Sequence, residues 1–395
     1  MKKKKIKIKH RKYSLYQRKK STSRKVLTVI LMVVIVAALL VVGYGIGRPL
    51  MEYLNGKGNT SEPSSAWTPP VSAETSGASA ETSQVSTDSS EVTEETKPED
   101  TTVNAFILPE GAVLSSDALN SALAAAKSGG YTDVTVTLKD ESGNLLYKTS
   151  IKDIPGDQVT GTLTAKQIAS IIASAGFTPR ARINTLLDRT TQTYGGENIC
   201  YMIADGGIWH DFYVDRGGKS WLDPFNEGTS KFLAAVTAEI SQAGFSSVAL
   251  ANTRFPAFNN QDYSNFLSNL PISDDSARLE ALWKVVTSCT TAAAGSNAEV
   301  LVEVTDEELL ADSQALTTAE ITADKTKLKS VTLLVDYTPG EKTGYTEARA
   351  FIGRLSAMYS GQSIAVCLPS SGFSGNALAE VRRAFTDAGM AIYSE

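Results

Sequence analysis

The chain has 395 residues, 42% of them apolar, enough for one large domain or two ordinary ones. Its formal net charge of −5 is uneven: residues 1–25 hold 13 Lys or Arg and no acid, and the rest has 25 basic against 43 acidic residues, a net −18. An acidic body speaks against nucleic acid as a partner, and two histidines with three scattered cysteines speak against a zinc site; neither metal nor cofactor is expected.

In chain order, the basic tail (1–25) comes first, followed by "VLTVILMVVIVAALLVVGYGIG", residues 26–47, with no charge. At about 1.5 Å rise per residue this run spans a hydrocarbon core of roughly 30 Å, so it reads as a transmembrane helix. The apolar run is too long for a signal peptide, and "GRPLMEYLNG" after it offers no small-x-small cleavage site, so an uncleaved anchor is expected. By the positive-inside rule the basic flank stays in the cytoplasm, making a single-pass protein of the cell membrane with everything from Arg48 extracytoplasmic. Residues 48–101 are rich in Ser, Thr, Glu and Pro and bury too little apolar surface to offset ordering entropy, so they read as a disordered stalk.

From Val103 the pattern changes to β-rich runs alternating with amphipathic stretches. Strands are expected at 103–108, 133–138, 178–187, 247–251, 299–304, 330–336, 363–368 and 390–394. Helices are expected in the Ser115–Gly130 stretch and at 164–177, 229–245, 276–294, about 306–324, 344–359 and 375–389. Such alternation demands parallel strands with right-handed crossovers. The predicted fold class is α/β, a (β/α)8 TIM-type barrel over 102–395 lacking a final helix, preceded by the transmembrane helix and the disordered stalk. A doubly wound sheet is the alternative, and it lacks its glycine-rich loop in "LPEGAVLSS". Cys200, Cys289 and Cys367 are an odd number, suggesting buried thiols or one disulfide.

In such a barrel the site lies at the C-terminal ends of the strands. Strand by strand, these ends supply Glu110; Lys139, Asp140 and Glu141; Arg182, Asn184 and Asp188; Asn252 and Arg254; Glu303 and Asp306; Asp336 and Tyr337; and Ser370 and Ser371. A long loop, 189–228, adds Trp209, Trp221 and Asp223. Acids flanked by Trp209, Trp221, Phe255 and Tyr337 suggest carbohydrate, whose rings stack on aromatics while their hydroxyls bond to Asp, Asn and Arg. Hydrolysis needs two carboxyl groups, roughly 5–5.5 Å apart for retention or about 6.5–9.5 Å for inversion. Blander readings stand beside these: Asp140-Glu141-Ser142-Gly143 as a turn, Trp209 and Trp221 as core, Asp223 as a helix cap, and Asp140 or Asp188 as a structural partner for Arg254.

"LKDESGNLLY" (138–147), "ARINTLLD" (181–188), "GGIW" (206–209), "WLDP" (221–224) and "TRFP" (253–256), in that order, resemble a family of glycoside-hydrolase (β/α)8 barrels described as a domain of unknown function related to α-amylase and α-galactosidase-type barrels. The resemblance covers about residues 103–260. It implies site roles for Asp140, Arg182, Asp188, Trp221 and Asp223. At the fourth strand the family pattern resembles Asp-Tyr-x-Arg-Phe-Pro, whereas this chain reads Ala251-Asn252-Thr253-Arg254-Phe255-Pro256. A methyl group can neither attack an anomeric carbon nor stabilise an oxocarbenium-like transition state. The expectation is therefore a membrane-anchored barrel that binds envelope or extracellular polysaccharide with lost or altered catalysis. Asp140, Glu303 and Asp336 are the candidate catalytic acids, and Arg182, Asp188, Trp209, Trp221, Asp223, Asn252, Arg254 and Phe255 the candidate binding residues. The alternatives are an active glycosidase pairing Asp140 with Glu303 or Asp336, and a structural partner in an envelope complex.

Overall fold

A computed structural model describes residues 102–395 apart from 153, 260–261, 263–266, 268, 311–319 and 341–342. The basic tail, the expected membrane span and the stalk lie outside the described residues. Among the described residues no helix is long and apolar enough to cross a membrane.

Eight parallel strands close into a barrel: β1 (Asn104–Ile107), β2 (Asp133–Lys139), β3 (Thr178–Asn184), β4 (Ser247–Ala251), β5 (Glu299–Thr305), β6 (Thr332–Asp336), β7 (Ile364–Leu368) and β8 (Ala391–Ser394). Each pairs with its neighbours in sequence, and β8 closes on β1 through Asn104 opposite Ile392. Among the described residues six longer helices cover the outside: α1 (Ser116–Ser128), α2 (Ala165–Ser174), α3 (Glu227–Gln242), α4 (Asp275–Ala294), α5 (Tyr345–Met358) and α6 (Ala377–Thr386). Between β5 and β6, where the sequence predicts one helix over 306–324, the chain forms short helical turns at Asp306–Leu310, Glu320–Ala323 and Lys325–Leu328.

Local chemistry sets the helix starts. The Ser115 side chain accepts the Ala118 N–H at the head of α1, and Thr164 and Gln167 form a reciprocal capping box on α2. Asn226 caps α3 by accepting the Gly228 N–H, the role the sequence offers to Asp223. Ile168 and Ile172 of α2 are fully buried against the barrel, each contributing about 1.5–3 kcal/mol.

Alternation along the strands decides what fills the barrel. Ala105, Ala249, Leu301, Leu334, Ala365, Cys367 and Tyr393 form one interior cluster. Since Ala249 faces inward, Ser247 and Ala251 on the same strand do too. Below the apolar layer Arg180 bonds to Asp133 Oδ1 (2.8 Å), Ser247 Oγ (3.1 Å) and Tyr393 Oη (3.2 Å), so the base of the barrel is plugged by a satisfied polar network. All seven residues of β2, "DVTVTLK", are buried, because a closed barrel covers the threonine face as well as the valine face. All three cysteines are free and buried.

Candidate active site

Above the apolar layer, the mouth begins with residues two positions further along the inward faces. Arg182 of β3 reaches across to Glu303 of β5: Nε donates to Oε2 and Nη2 to Oε1, both at 2.6 Å. This bidentate fork uses both carboxylate oxygens of Glu303. Burial opposes the Arg182 charge, but the hydrogen bonds and charge of Glu303 outweigh it and hold the guanidinium above its usual range.

Asp336, the last residue of β6, lies in register with Thr305 of β5 on one side and Cys367 of β7 on the other. Burial first, and the Glu303 charge second, push its carboxyl up to about 8, against opposing effects of Arg182 and a hydrogen bond with Cys367. At neutral pH the Asp336 carboxyl therefore keeps its proton beside the Glu303 side chain that Arg182 holds, an arrangement of unlike environments that serves acid–base chemistry. Burial and the charge of Asp336 raise the Cys367 thiol far out of reach, so it stays neutral. Glu110, after β1, belongs to the same mouth; burial and then the Asp140 charge raise its carboxyl, and Arg182 lowers it.

Asp140 is committed to its own loop. Oδ1 accepts the N–H groups of Ser142 and Asn144 (both 2.8 Å) and Oδ2 accepts the Asn144 side-chain amide (2.9 Å). Asp188 is committed as well, to Lys139 at the end of β2, at 2.8 Å with both side chains fully buried. The Lys139 ammonium also donates to the Asn184 carbonyl (2.9 Å), and Asp188 Oδ1 accepts the N–H groups of Thr190 and Thr191 (2.9 and 2.7 Å). Gly143, at φ +91°, passes directly over this pair, where a Cβ would overlap the Asp188 carboxylate.

The fourth-strand turn is built around Asn252, a non-glycine residue at φ +54°. Its side-chain amide donates to Asn184 Oδ1 at 2.5 Å, tying the ends of β3 and β4 together. Arg254 lies over the Trp221 ring at 5.5 Å, while Asp140 and Asp188, the carboxylates considered for it, face the partners above. Phe255 is fully buried, with the Arg278 guanidinium 4.9 Å from its ring centroid and Phe225 at 5.6 Å.

The β3–α3 loop carries the remaining aromatic residues on a framework of its own. It contains a small hairpin, Thr193–Tyr194 with Glu197–Asn198, and isolated bridges joining Leu187 to Trp221 and Cys200 to Leu222. Trp209 is buried, donates to Asp262 Oδ1 (3.0 Å), and packs edge-on against Tyr201. Trp221 is buried and donates to Asp211 Oδ2 (3.0 Å). Asp223 is buried too; it accepts the Phe225 N–H (2.9 Å), and burial lifts its carboxyl to about 6.

Of the residues expected at the site, Arg182, Glu303 and Asp336 meet inside the mouth. Asp140, Asp188, Asn252 and Arg254 ring it through contacts of their own. Trp209, Trp221 and Asp223 are buried within the loop, and Phe255 is buried against its Phe225. Cys367 and Lys139 are neighbours the sequence gives no reason to pair with Asp336 and Asp188. The inward alternation of β7 and β2 points to them once the register is known. Among the described residues no group of three His, Cys, Asp or Glu side chains converges to hold a metal ion.

A closed parallel barrel with charged and amide side chains gathered at its C-terminal mouth is a TIM-type barrel with its candidate site where such barrels carry theirs. Residues 107–306 match the family described as "Putative glycosyl hydrolase domain", and the chain belongs to that family. No curated protein matches the sequence. Among solved structures, the glycoside hydrolase domain of PgaB (BpsB) from Bordetella bronchiseptica is similar at TM-score 0.51 and 10% identity, covering 74% of this chain and 92% of that one. The catalytic domain of β-amylase from Paenibacillus polymyxa gives TM-score 0.46, 11% identity, and 74% and 91% coverage. A hypothetical protein from Ruminiclostridium thermocellum gives TM-score 0.39, 17% identity, and 49% and 96% coverage. At 10% identity the likeness to the PgaB domain speaks for the fold alone.

Proposed function

We propose that this chain is a membrane-anchored, extracytoplasmic barrel that holds envelope or extracellular polysaccharide at its mouth without cleaving it. The observation that carries the reading is the state of the mouth carboxylates. The strand end where the related pattern has Asp is Ala251, facing inward. Asp140 is bound to its own turn, and Glu303 gives both oxygens to Arg182. What is left suits recognition: the Asn184 and Asn252 amides, the Arg182 and Arg254 guanidiniums and the Asp336 carboxyl offer hydrogen bonds to sugar hydroxyls. The uncharged run 26–47 after a basic tail supports the anchor, and the Ser/Thr/Glu/Pro-rich segment supports a spacer between membrane and barrel.

One observation favours hydrolysis as a second reading: the raised Asp336 carboxyl next to the Arg182-bound Glu303. In that case Asp336 would give its proton to the leaving glycosidic oxygen as the C–O bond breaks, Glu303 would face the developing positive charge at the anomeric carbon, and a water would then add its oxygen to that carbon and return a proton to Asp336.

The test uses the full chain incubated with a panel of envelope polysaccharides, scoring pull-down and new reducing ends separately. Binding that weakens in Arg254→Ala, with no reducing ends released, is the expected result. Reducing ends that vanish in Asp336→Asn would establish hydrolysis. Ala251→Asp completes the set, because a carboxylate restored there is expected to bring release above the wild-type level. Ala251→Asp is cleaner than a double change with Asn252→Tyr, since Asn252 occupies a left-handed conformation that an aromatic residue resists.

A further inference from the structure

The β3–α3 loop ends in a tip, residues 211–219, that differs from the rest of the barrel surface. Phe212, Tyr213 and Val214 are three consecutive large apolar residues exposed by 54%, 67% and 66%. Isolated exposed apolar residues are ordinary, but three in a row on one turn form a patch.

The tip is held firmly. The N–H groups of Arg216 and Gly218 both bond to the Tyr213 carbonyl (3.0 and 2.9 Å), and Asp211 exchanges two bonds with Lys219 (3.0 and 2.7 Å). Gly217 sits at φ +88°, and a Cβ on Gly218 would overlap the Phe212 carbonyl oxygen. The rings are ordered against each other: Phe212 meets Tyr213 at 75° and 5.3 Å, and the Arg216 guanidinium lies 5.3 Å from the Tyr213 centroid. The tip is also tied to the mouth. Lys219 pairs with Glu141 after β2 (3.0 Å), Arg189 after β3 donates to the Gly217 carbonyl (3.1 Å), and Asp211 holds the Trp221 indole on which Arg254 rests.

We infer that Phe212 and Tyr213 form an outer aromatic platform on which a neutral polysaccharide chain, leaving the mouth, stacks a sugar ring. This inference rests on the carbohydrate-binding reading above and gives its site a second contact point. A pyranose has one apolar face and a hydroxyl rim, so its face matches the exposed Phe212 and Tyr213 rings while its rim can meet the exposed Asp215 and Arg216 of the same turn. A lipid surface matches poorly. Asp215 lies in the same turn as Val214, a carboxylate resists burial in a bilayer, and the acidic body is repelled by anionic head groups.

The prediction concerns chain length. The full chain is titrated with cello- and chito-oligosaccharides of two to eight sugars, for wild type, Tyr213→Ala, Phe212→Ala and Tyr213→Trp. A disaccharide should bind all four equally. The longer oligomers should bind Tyr213→Ala about tenfold more weakly than wild type, a difference of about 1.4 kcal/mol, and Tyr213→Trp should restore them. Because these side chains are exposed, unchanged thermal unfolding is expected and serves as the folding control. If long oligomers bind wild type and Tyr213→Ala alike, the platform is wrong while the mouth reading stands. Wild type that binds no saccharide of any length sinks both. Binding to phosphatidylglycerol vesicles that is lost in Tyr213→Ala, with saccharide binding untouched, would overturn the platform in favour of a lipid contact.

Discussion

Replacing Asp336 by Asn tests the electrostatics of the mouth most directly. The carboxyl is raised to about 8 by burial and by the Glu303 charge, from an ordinary value near 3.8. A raised acid pKa means that between those two values the folded state keeps a proton that the unfolded chain has released. Stability from this group is therefore full below about pH 4 and falls as pH rises, by about 1.4 kcal/mol per pH unit at most, until the folded group itself ionises near pH 8. Asp223, raised to about 6, adds a slope of the same sign that ends near pH 6. Above pH 6 the Asp223 slope fades, and comparison with Asp336→Asn separates the Asp336 contribution. Urea unfolding of the full chain, followed by tryptophan fluorescence at pH 6.0, 6.5, 7.0 and 7.5, should show wild type losing about 1–2 kcal/mol across the interval. Asp336→Asn, which is neutral throughout, should be nearly flat. Equal slopes for the two proteins would refute the assignment of a protonated Asp336.

Removing one partner of the bidentate pair leaves a largely buried charge behind. Arg182→Ala and Glu303→Ala should each cost about 3 kcal/mol in urea unfolding, and the double variant less than their sum, as a double-mutant cycle would measure. Glu303→Gln should in addition make the pH-dependent loss of stability end at lower pH, since the second cause of the Asp336 shift is gone. Gly143→Ala meets both a left-handed backbone and the Asp188 carboxylate, so a loss of about 2–5 kcal/mol is expected in the same assay. A change below 0.5 kcal/mol would mean that the loop does not rest on the Lys139–Asp188 pair.

Much of the barrel is legible in the order of the amino acids. The strand "SVALA" is expected at 247–251 and lies there, and the other seven strands fall within a few residues of their expected ends. Parallel strands buried on both faces leave short β-branched runs, and helices between them leave apolar spacings of three and four; both are local patterns. The region 306–324 is harder, because its charged and polar residues allow a helix without specifying one, and the described part forms only short turns.

The site divides in the same way. Sequence by itself determined that the inner end of the fourth strand carries a methyl group, Ala251, and that acids and an arginine stand at the ends of neighbouring strands. It could not pair them. Arg182 and Glu303 are 121 residues apart along the chain, and Lys139 meets Asp188 only across the β2–β3 connection and its helix. Only closure of the sheet decided that Arg182 takes Glu303, that Lys139 takes Asp188, and that Asp336 is left to keep its proton. The reason is physical: charge pairing and desolvation depend on distance and burial, and those are set by strand register around the ring, not by position along the chain.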